Sequence, residues 1–335
     1  MEASLTMQFF DLHCDTLYRA VTENKTLNEN IYKPEKNSFS QGVLFEGDKL
    51  PPFQLSFDRG KKYCPWIQCM AVWISDDVTD EYGKKLFDKA YLKLKEECEE
   101  NHVTVCGDFS DLKSVSENKR YGVIFTLENG RLIKNIDDLT ILKNCGVKMI
   151  TLTWNGENFL GSGVKAEKDS GLTSLGKDVI RKMNRFGIAV DVSHGSDKLF
   201  YEAAQISTTP IAASHSNSRK ITDNPRNITD EQLKIICQKG GVVGLNFCRS
   251  FLNNNPEKAV IEDILRHTEH FLSLGGENHL CIGSDFDGTD MPKGIAGIES
   301  MENLYELFLK HNYSERLVSK LFFENTYNFF ENFDI

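Results

Sequence analysis

The chain has 335 residues, 40% hydrophobic and 26% charged, with 39 Lys and Arg against 49 Asp and Glu for a formal charge of −10. These are ordinary globular values, so disordered, collagen-like and low-complexity classes are excluded. The acidic balance argues against nucleic acid or an anionic membrane surface as the main partner. At about 150 residues per domain the length allows two domains, but α/β barrels pass 250 residues as one unit. The nine cysteines form no CxxC pair, and Cys69, Cys145 and Cys281 lie inside apolar runs, where a reduced thiol acts as a small hydrophobe. The start, MEASLTMQFF, has no signal-peptide pattern, and no run nears the ~20 apolar residues of a membrane span. A soluble, cytoplasmic protein with no membrane partner is expected.

In chain order, eight apolar, β-branched or aromatic runs are predicted strands: 9–15, 66–74, 121–128, 147–154, 187–194, 210–215, 241–247 and 279–285. Runs such as GVIFTL, VKMITLTW and GIAVDV are nearly continuous in apolar residues, as in a parallel sheet covered on both faces. Between them lie helical stripes: Leu86, Ala90 and Leu94; Leu175, Val179, Met183 and Phe186; Ile261, Leu265, Thr268 and Leu272. Thr229 and Gln232 have capping-box spacing, and Gly275-Gly276 suits a helix stop. Eight strands alternating with helices predict a single α/β domain over 1–335, a (β/α)8 TIM barrel. No glycine-rich dinucleotide fingerprint follows the first strand, which disfavours a doubly wound sheet. Residues 16–65 form a long insertion after the first strand, expected over the barrel mouth.

The metal-capable residues fall at strand ends. Asp11, His13 and Asp15 alternate along the first strand and are expected to share one face, with Cys14 opposite. Glu128, His194, His215 and Asp285 end later strands, and every strand end of a barrel opens on the catalytic face. Taken singly, each has a plain alternative: Asp15 and Glu128 could cap helices, and Ser-His-Gly or Ser-His-Ser could be turns. Together, three histidines and three carboxylates on one face have no such explanation. Imidazole with carboxylate suits Zn2+, with Mn2+ or Fe2+ as other divalent choices. Six groups exceed what one catalytic zinc needs, so two ions about 4 Å apart, sharing a carboxylate and activating water, fit better.

These residues sit in DLHCD (11–15), TLENG (126–130), TLTWN (151–155), DVSHGS (191–196), ASHSNSR (213–219), PRNITD (225–230), GLNF (244–247) and IGSDFDG (282–288). In that order, across nearly the whole chain, they resemble the membrane dipeptidase (renal dipeptidase) family of zinc peptidases, a metal-dependent hydrolase barrel. The resemblance implies that His13 and Asp15 hold one zinc, His194 and His215 the other, and that Glu128 bridges them. It implies a bridging hydroxide that attacks the scissile carbonyl, with Asp285 orienting it and passing its proton to the leaving amine. Arg226 would bind the substrate carboxylate or the oxyanion, although pairing with Asp223 or Asp230 is its plain alternative. Asp287 could replace Asp285, since strand alternation puts both on one face.

Where the mammalian enzymes carry a His after the fourth strand, this chain has Trp154, expected with Asn155 to line the substrate pocket. The leading expectation is a binuclear zinc dipeptidase whose family tolerates a D-residue at the C-terminal position and commonly forms a homodimer. Two alternatives accompany it: an amidohydrolase acting on N-acyl amino acids, lactams or other small amides, and a metal-binding scaffold without turnover.

Overall fold

The computed structural model describes residues 7–28 and 52–333. Its strands are β1 (Phe9–Asp11), β2 (Trp66–Trp73), β3 (Thr104–Val105), β4 (Tyr121–Glu128), β5 (Met149–Thr151), β6 (Ala189–Asp191), β7 (Ile211–Ala213), β8 (Val242–Leu245) and β9 (Leu280–Ile282). All pairings are parallel, and the β2–β4 pairing closes the sheet into an eight-stranded barrel. Each predicted strand run contains one barrel strand. The ninth strand, β3, pairs with β4 at Gly122 and Val123 outside the closed ring and is two residues long, too short for a periodic signal.

Helices cover the outside of the barrel. The three predicted stripes lie on Asp80–Glu100, Ser174–Phe186 and Ile261–Ser273, with Leu86, Ala90, Leu94, Val179, Met183, Leu265 and Thr268 buried. The capping box opens Asp230–Gln238: Gln232 N donates to Thr229 Oγ1 at 3.2 Å, and Thr229 N to Gln232 Oε1 at 2.8 Å. No helix among the described residues is long and apolar enough to cross a membrane.

The barrel interior is layered. An apolar cluster takes at least one residue from each ring strand: Phe10, Ile67, Ile124, Met149, Ala189, Ala212, Val242 and Cys281. Phe323, Phe329, Phe330 and Phe333 belong to the same cluster, and the Phe330 ring stacks on Phe10 at 5.8 Å. Two residues further along the strands the interior turns polar. Asp191, fully buried, accepts from Thr151 Oγ1 and Ser214 Oγ, both at 2.6 Å, and from the backbone N–H groups of Ser193 and Ser214. A buried carboxylate satisfied by four donors cements three strands directly beneath their catalytic ends.

The first strand departs from expectation. It ends at Asp11, and the alternation slips beyond it: Phe10 and Leu12 pack in the inner cluster, whereas Phe9 and Cys14 pack in the outer one. Asp11 therefore does not share a face with His13 and Asp15, which both reach the barrel mouth. Asp11 accepts from Gln68 Nε2, Ser284 N and Ser284 Oγ, tying β1 to its two neighbours. Of the 16–65 insertion, Thr16–Thr22 and Phe57–Gly60 are helical, and residues 29–51 lie outside the described residues.

Candidate metal centre and active site

The five expected ligands and Asp285 converge at the C-terminal ends of the strands. His13 Nε2 lies 3.6 Å from Asp15 Oδ2, 3.7 Å from Glu128 Oε2 and 3.9 Å from Asp285 Oδ1. The other Glu128 oxygen, Oε1, lies 2.9 Å from His194 Nε2 and 3.7 Å from His215 Nε2. Glu128 thus turns one oxygen to His13 and the other to the pair of histidines. All six residues are buried.

The histidine tautomers follow from their outer partners. Ser214 Oγ gives its one proton to Asp191, so it accepts from His215 Nδ1 at 2.8 Å. His194 Nδ1 donates to Asn155 Oδ1 at 3.0 Å. Each Nε2 is then left with a lone pair, and the two nitrogens stand 2.9 Å apart beside Glu128 Oε1. Burial, helped by the charges of His13 and Arg226, holds both imidazoles well below their ordinary pKa, hence neutral. Three acceptor atoms this close repel one another unless a proton or a cation lies among them. Such outer-shell fixing of imidazoles is typical of metal ligands.

His13 shows the same demand for positive charge. Burial lowers its pKa, but the nearby carboxylates of Asp15, Glu128 and Asp285 outweigh that and raise it to about 10. Glu128 is pushed well above the usual carboxylate range by burial and by Asp15. His13 Nε2 and Asp15 Oδ1 are buried without hydrogen-bond partners. The donor set fits one or two divalent cations. Because metal would displace protons held by His13 and Glu128, zinc added to metal-free protein at pH 7 is expected to release at least one proton per chain, with affinity rising with pH. Calorimetry in buffers of different ionisation heat measures this release, and its absence would contradict the assignment of His13.

The turn alternative is met in the backbone, since Ser193-His194 and Ser214-His215 both lie in turns, but the other plain alternatives find no support. Asp15 occupies the N-cap position of Thr16–Thr22, yet its side chain caps nothing. Arg226 forms no ion pair with Asp223 or Asp230 among the described residues; Asp230 instead pairs with His270 at 2.7 Å. The Arg226 guanidinium is buried over the Phe251 ring, with Nε unpartnered and Nη2 3.4 Å from His215 O. Asp285 and Asp287 do not share a face, because β9 ends at Ile282 and both residues have left-handed backbone, φ 62° and 67°. Asp287 turns away to hold Thr16 Oγ1, Arg19 and Gln54 N. Asp285 stays at the mouth, its Oδ2 accepting from Asn246 Nδ2 at 3.0 Å. His194 (φ 66°) and Asn129 (φ 76°) are also left-handed, and such strain, about 1–3 kcal/mol each, gathers where a site dictates the backbone.

Residues 3–334 match the model of the membrane dipeptidase family, peptidase family M19. The chain belongs to that family. The chain is similar to dipeptidase tcpJ of Claviceps purpurea, 33% identical over 188 residues, 55% of this chain and 44% of that protein. An uncharacterized protein from the pqqA 5' region of Klebsiella pneumoniae is 32% identical over 231 residues, 66% of this chain and 85% of that one. A metallopeptidase from Rhodobacter sphaeroides, solved with a phosphinate mimic of the dipeptide L-Ala-D-Ala, superimposes with TM-score 0.84 at 26% identity, over 98% of this chain and 99% of that chain. The M19 metallopeptidase fold and enzyme class are thereby those of this chain.

Within this M19 site, several contributors escaped the sequence reading. Asn246, Asp191, Ser214 and Thr151 support the ligands from behind. Asn155, expected to line the substrate pocket, also braces His194. Gly288 is closely packed on the cluster: a Cβ there would lie 2.1 Å from Asp15 Oδ2 and 2.4 Å from Asp285 Oδ1. Both are movable carboxylate ends, so Gly288→Ala should fold and melt nearly as the parent does. Displacing them is expected to weaken metal binding about 10–100-fold, the range for disturbing a ligand's supports. Equilibrium zinc competition measures it, and unchanged affinity would remove Gly288 from the site.

Proposed function

We propose that this protein is a binuclear zinc dipeptidase that hydrolyses the peptide bond of dipeptides, including those with a D-residue at the C-terminal position. The observation that carries the reading is Glu128, whose two oxygens face His13 on one side and His194 with His215 on the other. His13, Asp15 and Glu128 would hold one ion, and Glu128, His194 and His215 the second. Bound there, zinc lowers the pKa of water and polarises a carbonyl.

The remaining work falls to the chain's own side chains. Arg226, buried and without an anionic partner, would take the substrate carboxylate through its guanidinium fork. Asp285, raised to about 6 by burial and by Asp15 against the opposing charge of His13, suits proton transfer near neutrality. Its carboxylate would accept a proton from the attacking water and give it to the leaving nitrogen, so that water adds across the C–N bond and two amino acids leave. Asn246 would keep Oδ2 of Asp285 engaged, leaving Oδ1 for the proton.

The reading includes a reducing, cytoplasmic setting, in keeping with nine unpaired cysteines, and assembly as a homodimer. A dipeptide panel assayed with and without chelator tests it. Metal-dependent release of free amino acids is expected, and zinc-independent turnover would overturn it. Trp154 in place of the family's His favours one further reading, hydrolysis of N-acyl amino acids; faster cleavage of N-acetylalanine than of Ala-Ala would establish it.

A further inference from the structure

Three aromatic rings form a continuous wall along one side of the mouth. Tyr18 meets Trp73 edge-on at 5.1 Å, Trp73 meets Trp154 edge-on at 4.9 Å, and Trp154 lies 6.0 Å from the His194 ring. Trp73 ends β2 and pairs in register with Glu128 at the end of β4, so the wall begins beside the bridging carboxylate. Trp73 is 9% exposed and its indole N–H has no acceptor. Trp154 and Tyr18 are half-buried, so part of the wall faces open space.

The wall is held in place. Gly156 N donates to Asp76 Oδ2 at 2.7 Å, and Asn129 Nδ2 donates to Asp76 Oδ1 at 2.8 Å, tying the loops after β5, β4 and β2 together. Lys165 N donates to Asn155 O and Gly163 N to Gly156 O, each at 2.7 Å. A Cβ on Gly163 would lie 2.1 Å from Trp154 O, so the returning chain packs directly on the backbone of Trp154.

The order of strands around the ring supplies the direction. From β2 the ring runs through β4, β5 and β6 to β7, four steps of eight, so the end of β2 faces the end of β7 across the mouth. Arg226 follows β7 and packs on Phe251, which follows β8. A dipeptide with its carboxylate on Arg226 and its peptide bond over the carboxylate and histidine cluster therefore points its N-terminal residue at the wall.

We propose that Tyr18, Trp73 and Trp154 form the pocket for the N-terminal side chain, and that the preferred substrates are dipeptides with a bulky apolar or aromatic N-terminal residue. This rests on the dipeptidase reading. Rigid aromatic faces reward apolar bulk, and a missing group in such a pocket lowers kcat/KM tenfold or more.

The test is kcat/KM for Phe-Ala, Leu-Ala, Ala-Ala and Gly-Ala on the metal-loaded enzyme. Phe-Ala should exceed Gly-Ala by at least about tenfold. Trp154→Ala should cut that ratio about fivefold, the worth of one aromatic contact, and Trp154→Phe should largely restore it. The ratio is independent of the fraction of folded enzyme, so partial misfolding of a variant does not blur it. Equal rates on Phe-Ala and Gly-Ala, or a ratio indifferent to Trp154→Ala, would overturn the pocket while leaving the dipeptidase reading intact. Failure to cleave any of the four would bring down that reading and the pocket with it.

Discussion

Asp285→Asn is expected to lower kcat by about 10²–10⁴-fold, the usual worth of a positioned acid–base group, with KM little changed. Asn is nearly isosteric and tolerates the left-handed backbone at φ 62°, so the fold and the Asn246 contact can persist. What it lacks is a basic oxygen that can take up and release a proton. Asp285 Oδ1 is also 3.9 Å from His13 Nε2, so metal content must be measured on the same sample. Lost turnover with full metal supports proton transfer. Lost metal would make Asp285 a ligand instead, and unchanged kcat would remove it from the mechanism.

Glu128→Ala should have the larger effect. It removes the carboxylate that faces both His13 and the His194–His215 pair, and at least one of two metal ions should be lost with it. Forfeiting several kcal/mol of charge stabilisation corresponds to about 10³-fold or more in rate. The strand itself should survive, because β4 is held by backbone pairing to Trp73 and Thr151 on either side. Metal-free Glu128→Ala is even expected to melt no lower than the metal-free parent, since it relieves a buried carboxylate crowded by Asp15 and Asp285. A metal content equal to the parent's would contradict the bridging role.

The barrel was legible because its strands are buried on both faces and read as continuous apolar runs. The cluster of candidate ligands was legible because polar residues at the ends of such runs have few other reasons to be there. Features that depend on backbone irregularity were not. Alternation failed along β1, where the phase slips between Leu12 and Cys14, and again after β9, where Asp285 and Asp287 are both left-handed. Asn155 stood beside Trp154 in sequence and was grouped with it, and its bond to His194 shows only in the fold. Trp73 looked like one more apolar strand residue; only barrel closure brings it against Trp154. Gly288 carries no side chain to read, and its value lies in the space it leaves to Asp15 and Asp285.

Zinc titrated into chelator-stripped protein while Ala-Ala hydrolysis is followed tests whether the metal centre makes this chain a dipeptidase. Turnover should be absent without metal and rise to a plateau at about two equivalents per chain, as two-ion sites require. Full turnover in the stripped protein, or none at any zinc level, would contradict it.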